Sequence, residues 1–194
     1  LGLPQQDVPI LSVVSRLTFQ KGIHLILDEF DNILQKNVQI IILGSGDCKF
    51  EQQLNLFKQK YPEKCAVQIA FDIKLAQLIY AGSDIFLMPS AFEPCGLSQM
   101  IAMRYGTLPV VHEIGGLKDT VEIYNPIEKK GTGFGFKEFS SSYLMKAIKQ
   151  AVDVLEKDKK TWKNMMIEAM SKDFSWELPS QNYINLYKEI SANC

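Results

Sequence analysis

The sequence predicts an α/β domain with a doubly wound, parallel, Rossmann-like sheet and a C-terminal helical tail. Three observations carry that prediction. Short apolar runs of strand length alternate with longer stretches of helical period as far as Phe136. One of those runs, Val38-Gln39-Ile40-Ile41-Ile42-Leu43, is nearly continuously apolar, as a strand covered on both faces must be. Beyond Phe136 the strand signal stops and only helical periodicity remains.

The strand candidates are residues 10–14, 38–43, 66–70, 84–88 and 108–111, with a weaker sixth at 133–136. Between them, residues 22–35 place Ile23, Ile26, Leu27, Phe30, Ile33 and Leu34 at helical spacing. A second helix, 49–60, follows the turn Gly44-Ser45-Gly46-Asp47, with Asp47 as its N-cap. Helices at 73–81, 95–105 and 117–124 complete the alternation, which predicts right-handed crossovers between parallel strands. In the tail, Ser140-Ser141-Ser142 opens a helix whose Leu144, Ala147, Ile148, Ala151, Val152 and Leu155 form one stripe. Two more helices are expected at 160–171 and 180–191.

A chain of 194 residues is long enough to bury one good-sized core. Its formal net charge of −1 offers no general attraction for nucleic acid or an anionic membrane, so an anionic ligand has to be held by local groups. The purely apolar runs are too short to span a bilayer, and residues 1–7 lack the basic start and apolar stretch of a signal peptide. Of the cysteines Cys48, Cys65, Cys95 and Cys194, none forms a Cys-x-x-Cys pair, and neither His24 nor His112 stands at zinc-ligand spacing from one. Reduced thiols in a cytoplasmic protein are therefore expected.

Doubly wound sheets bind ligands beyond the carboxyl ends of their strands. Arg16 stands just past the first strand and Lys21 at the mouth of the next helix. They are either two cations arranged for a diphosphate or two solvated surface charges. The Gly44-Ser45-Gly46 turn after the second strand is not a full Gly-x-Gly-x-x-Gly, since position 49 is Lys, and no acidic residue closes the next strand; an NAD enzyme is disfavoured. The fourth strand leads into Pro89-Ser90-Ala91-Phe92-Glu93-Pro94-Cys95-Gly96-Leu97-Ser98. Here Glu93 lies between strand and helix, Gly96 admits close approach of a ligand to the backbone, and the amides of Gly96, Leu97 and Ser98 suit phosphate oxygens. The alternative is a helix start with an exposed acid. Gly115-Gly116 after the fifth strand signals either a close backbone approach or a simple turn. No Asp-x-Asp pair follows any strand, so no metal is expected; Arg16 and Lys21 could supply the charge such a metal brings.

Taken together, these segments resemble the bacterial glycogen synthase and plant starch synthase family, retaining glycosyltransferases (family 5) of the two-domain GT-B type. The resemblance rests on Ser15-Arg16-Leu17 with Gln20-Lys21-Gly22, Phe92-Glu93-Pro94-Cys95-Gly96-Leu97, Ala102-Met103-Arg104-Tyr105-Gly106-Thr107 with Pro109, Gly115-Gly116-Leu117 with Asp119-Thr120-Val121, Gly131-Thr132-Gly133-Phe134 and Phe174-Ser175-Trp176. It implies transfer of glucose from ADP-glucose to the non-reducing end of an α-1,4-glucan. It further implies that Arg16 and Lys21 stabilise the leaving diphosphate, that Glu93 sits by the donor sugar, and that the loop from Cys95 to Ser98 with Gly115 and Gly116 borders the donor. Phe71 falls where the family sets an aromatic residue against the adenine; otherwise it is an ordinary strand-end core aromatic. A cytoplasmic location is implied, or a plastid one in a plant.

The sequence departs from the family pattern in three places. Ile101 stands where related transferases carry a second Glu, as is usual in the synthase branch. His112-Glu113-Ile114 precedes the paired glycines, where an arginine at 112 and a threonine at 114 are expected. No Lys-x-Gly-Gly-Leu is present, a motif of the acceptor-side domain. Residues 1–194 are accordingly expected to be the C-terminal donor-binding half, inactive alone, with the glucan held mainly by an N-terminal domain. A GT-B transferase with another donor such as a UDP-sugar, or a nucleotide-binding module without turnover, are the alternatives.

Overall fold

In the computed structural model, which describes residues 1–192 apart from the Leu178 side chain, six strands form one parallel sheet. They are β1 (Ile10–Val14), β2 (Gln39–Gly44), β3 (Cys65–Ile69), β4 (Ile85–Met88), β5 (Leu108–His112) and β6 (Phe134–Phe136). Their order is β3-β2-β1-β4-β5-β6. Every predicted strand is present, with ends moved by a residue or so. The apolar runs that predicted them are buried: Leu11, Val13, Ile40, Ile42, Phe86 and Val110 all lie in the core.

The helices are α1 (Ile23–Asp28), α2 (Phe30–Leu34), α3 (Cys48–Lys60), α4 (Ile73–Gly82), α5 (Ser98–Arg104), α6 (Gly115–Thr120), α7 (Ser141–Lys157), α8 (Lys159–Ser171) and α9 (Glu177–Ala192). Helix α1 packs against α3 and α7, whereas α5 packs against α4 and α8. The sheet is thus covered on both faces, as the apolar run in β2 requires. Asp47 is the N-cap of α3 but makes no side-chain cap bond; Glu51 reaches back instead to accept the Gly46 N–H at 2.8 Å.

Three helices ahead of the tail differ from expectation, and α9 in the tail starts at Glu177, three residues earlier than expected. The single helix expected at 22–35 is broken at Glu29, whose backbone (φ −105°, ψ 7°) leaves the helical region. Leu25 lies off the stripe formed by Ile23, Ile26 and Phe30, and the break lets both halves turn their apolar residues inward. Helix α5 starts at Ser98 rather than at 95, because Gly96 takes φ +75° and the chain is still turning there. Helix α6 spans 115–120 rather than 117–124: Val121 is extended, and Ile123 bridges to Gly133.

The tail follows the predicted stripe. Leu144, Ala147, Ile148, Ala151 and Val152 of α7 are buried, with Leu155 half-buried. In α8, Trp162 stacks on Phe134 of β6 with centroids 6.0 Å apart. In α9, by contrast, Tyr183, Ile184, Leu186, Tyr187 and Ile190 are all solvent-exposed. No helix among the described residues is long and apolar enough to cross a membrane. Cys48, Cys65 and Cys95 are free thiols; burial pushes the Cys65 thiol up to about 12. Cys194 lies outside the described residues.

Candidate functional site

The strand order reverses between β1 and β4. The chain leaves β1 towards β2 and leaves β4 towards β5, so the two following loops separate and open a crevice above their carboxyl ends. Both loops are then drawn together at their far ends. Ala91 N–H donates to Gln20 O at 2.8 Å, and the Gln20 amide to Phe92 O at 3.4 Å. Gly22 has φ +70°, and a Cβ there would stand 1.9 Å from Pro89 O, so only glycine lets the start of α1 press this closely on the β4 loop.

That closure brings Lys21 onto Glu93. The ammonium donates to Glu93 Oε2, which also accepts the Ser90 hydroxyl at 3.3 Å. The ion pair is largely sequestered, with side chains 16 % and 10 % exposed. The β5–α6 turn holds the same loop from behind: Gly116 N–H donates to Glu93 O at 3.0 Å. A Cβ on Gly115 would lie 2.2 Å from Glu93 O, and one on Gly116 2.2 Å from Cys95 O. The close approach predicted for the glycine pair is therefore made, and the chain's own Glu93–Cys95 backbone makes it.

Two cavities meet at Arg16 and Ser98. One of about 210 Å³ is lined by Ser15, Arg16, Lys21, Met88, Ser90 and Ser98. The other, about 320 Å³, lies towards β2 and β3 and is walled by Arg16, Gly44, Phe71, Tyr80, Ser98 and Ile101. Arg16 is exposed and, among the described residues, makes no ion pair, so it is the uncompensated cation of the crevice. Phe71 is 88 % exposed and so is not the core aromatic of the second sequence reading. The N–H groups of Gly96, Leu97 and Ser98 form no hydrogen bond among the described residues.

Of the residues singled out in the sequence, Arg16, Lys21, Phe71 and Ser98 thus line the crevice. Glu93 stands behind Lys21 and Ser90. Cys95, Gly96, Gly115 and Gly116 line neither cavity, and Leu97 faces a separate groove with Arg104 and Phe174. Sequence reasoning missed three supporting side chains. Ser90 holds Glu93. Gln99, fully buried, donates to Cys95 O and Gly96 O at 3.2 and 2.9 Å and fixes that turn. His112, the anomaly in the fifth-strand motif, is buried against Ser90 O. A polar residue just after a turn, at the start of an otherwise apolar helix, is the signal that could have found Gln99; His112 stood out only as a departure from the family pattern, and nothing local marks Ser90.

The profile of glycosyl transferases group 1 matches residues 2–170. The chain belongs to that family. It is 57 % identical over 190 residues to the glycogen synthase of Lactococcus lactis, covering 97 % of this chain and 40 % of that protein. The glycogen synthase of Ligilactobacillus salivarius is 55 % identical over 190 residues, with the same coverage of 97 % and 40 %. Among solved structures, the catalytic domain of starch synthase IV from Arabidopsis thaliana, bound to ADP and acarbose, superposes with a TM-score of 0.88 at 34 % identity, over 97 % of this chain and 40 % of that one. The chain therefore spans about two-fifths of the length of these relatives, and its sheet and tail match one half of a GT-B glycosyltransferase.

Proposed function

We propose that this chain is the donor-binding half of a retaining glucosyltransferase that moves glucose from ADP-glucose to the non-reducing end of an α-1,4-glucan. The observation that carries the reading is the junction of two unlike cavities at Arg16 and Ser98. The smaller holds both cations and suits a diphosphate and sugar; the larger, with the exposed Phe71 ring at its edge, suits a base. The ADP in the starch synthase IV structure and the identity to glycogen synthases support the choice of donor.

In this reading the bond from C1 to the diphosphate breaks, its electron pair leaves with ADP, C1 bonds to the acceptor hydroxyl oxygen, and the proton of that hydroxyl passes to a phosphate oxygen of the departing ADP. Arg16, Lys21 and the free amide of Ser98 meet the growing phosphate charge, with no metal; the free amides of Gly96 and Leu97 belong to the turn that leads into Ser98. Glu93, behind Lys21 and Ser90, lends negative charge to the side of the cavity where positive charge develops near C1, and those two side chains hold its carboxylate in one orientation. Cys95 and the Gly115-Gly116 pair serve the site by shaping the Glu93 loop. The glucan is held mainly by a separate acceptor-side domain, so this chain alone turns over no substrate.

Calorimetry of the chain with ADP and with UDP tests the donor. Tighter binding of ADP is expected, and preferential binding of UDP would refute it. Detectable glucose transfer from ADP-glucose to glycogen by the chain alone would refute the division of labour.

A further inference from the structure

His112 is the residue at which the sequence leaves its family pattern, and the structure gives it a place. It ends β5, is 6 % exposed, and its two ring nitrogens face two backbone carbonyls: Nδ1 lies 2.8 Å from Ser90 O and Nε2 3.2 Å from Lys137 O. A carbonyl can only accept, so the shorter contact fixes Nδ1 as a donor. Ser90 O accepts no other hydrogen bond among the described residues.

That bond stands where the sheet stops. The β4–β5 ladder ends at the pair Met88–Val111, and Pro89 has no N–H with which to extend it. Beyond that point the chain departs from the sheet to form the Glu93 loop, and the imidazole supplies the cross-link that the ladder no longer makes. The ring is itself fixed, stacked on Phe136 with centroids 5.3 Å apart and packed on Phe139 at 5.3 Å. Phe139 also meets His24 at 5.5 Å, and His24 stacks on Phe19 at 4.0 Å. Phe19 opens the same short turn that ends at Lys21. One cluster of rings therefore braces both loops that carry the Lys21–Glu93 pair.

We propose that His112 is a positioning residue: by donating to Ser90 O it sets the backbone of the serine whose side-chain hydroxyl holds Glu93 Oε2, and so fixes the carboxylate of the donor site. The inference rests on the reading of Glu93 as a donor-site group. The test uses the full-length transferase that contains this chain, measuring kcat and KM for ADP-glucose together with the melting temperature.

His112→Leu keeps an apolar side chain without the donor. It is expected to lower kcat about 10-fold or more, since small misplacements of a positioned group cost that much or more, with KM changed less than about twofold. His112→Asn places an amide nitrogen near the position of Nδ1 and is expected to recover most of the loss. A purely structural role predicts instead a lower melting temperature with kcat per folded molecule unchanged. The proposal is overturned by that outcome, or by an Asn variant as slow as the Leu variant. Glu93→Gln separates the role of Glu93 from the role of His112. If it keeps normal turnover, the reading of Glu93 fails; if it is slow while His112→Leu is normal, only the positioning role fails. Should His112→Leu yield no folded protein, Ser90→Ala decides, because it removes one hydroxyl and little volume. A kcat lowered about threefold or more is expected from losing such a hydrogen bond, and an unchanged kcat overturns the proposal.

Discussion

At the carboxyl ends of β1 and β4, Glu93 is held against Lys21 and Ser90 and backed by the N–H of Gly116. At the opposite ends of the same strands, Asp84 accepts the Ile10 N–H at 2.8 Å and, among the described residues, pairs with no cation. Asp84, half-buried, precedes β4, and Glu93, buried, follows it, so the two carboxylates flank one strand. What differs is the investment around each charge. One carboxylate has a counter-ion and a hydroxyl whose own residues, Lys21 and Ser90, line a cavity; the other closes a backbone ladder. The proposed donor-site role of Glu93 predicts that changes around it alter rate as well as stability, whereas changes at a carboxylate that meets one amide alter stability alone.

The comparison breaks most sharply at Lys21. Lys21→Ala leaves Glu93 largely buried without its counter-ion, and such a change is expected to cost about 3 kcal/mol or more of stability, read by denaturant unfolding. Adding Glu93→Gln should return much of that loss, because the stranded charge goes with it. A Lys21→Ala variant as stable as its parent would show that the pair is no more than a surface contact.

Arg16 gives the next largest effect and the opposite division between stability and rate. Being exposed and unpaired, it is expected to contribute within about 0.5 kcal/mol to stability. In the full-length transferase, Arg16→Ala should nevertheless lower kcat ~100-fold or more, the usual cost of losing a group that meets transition-state charge. Normal turnover in that variant would remove the diphosphate role.

These two residues also mark how far the sequence was legible. Arg16, Lys21 and Glu93 could be named from their places after strands, because apolar runs such as 38–43 reveal strands directly. The ion pair could not, since its partners lie 72 residues apart and meet only because β1 neighbours β4 in the sheet. Local backbone events were equally hidden. The break at Glu29 and the late start of α5 at Ser98 are settled by which residues the sheet can bury and by the Gln99 amide capping the Cys95–Gly96 turn. His112 read as an anomaly because the family resemblance leads to an arginine there, and its role stayed hidden because its partner, Ser90 O, is a backbone atom that no side-chain pattern announces.

Phe71 tests the other side of the crevice. Its ring is 88 % exposed, so Phe71→Ala should leave the melting temperature unchanged. If the ring stacks on a base, ADP binding should weaken about 10-fold, within the range of ~1–3 kcal/mol for one base on one aromatic ring. Unchanged ADP affinity in calorimetry would return Phe71 to the ordinary surface.

The smallest effect belongs to Asp84, and its sign sharpens the contrast with Glu93. Burial pushes the Asp84 carboxyl above the usual carboxylate range; the Ile10 N–H opposes the shift and Asp7 adds to it. In the window between the ordinary carboxyl value, about 3.9, and the raised value, the folded state binds more protons than the unfolded one. Stability is therefore lost as pH rises through that window, and above it the ionised group is a standing cost. Asp84→Asn keeps an oxygen for the Ile10 N–H and removes the charge. It is expected to be more stable than the parent at pH 7, with the advantage vanishing as the pH falls below the ordinary carboxyl range. Asp84→Ala strands the Ile10 N–H and should lose about 1 kcal/mol. Unfolding curves of both variants at pH 7 and at acid pH check this. If Asp84→Asn instead loses stability at pH 7, the charge at that end of the sheet is serving a partner, and the asymmetry drawn between the two carboxylates fails.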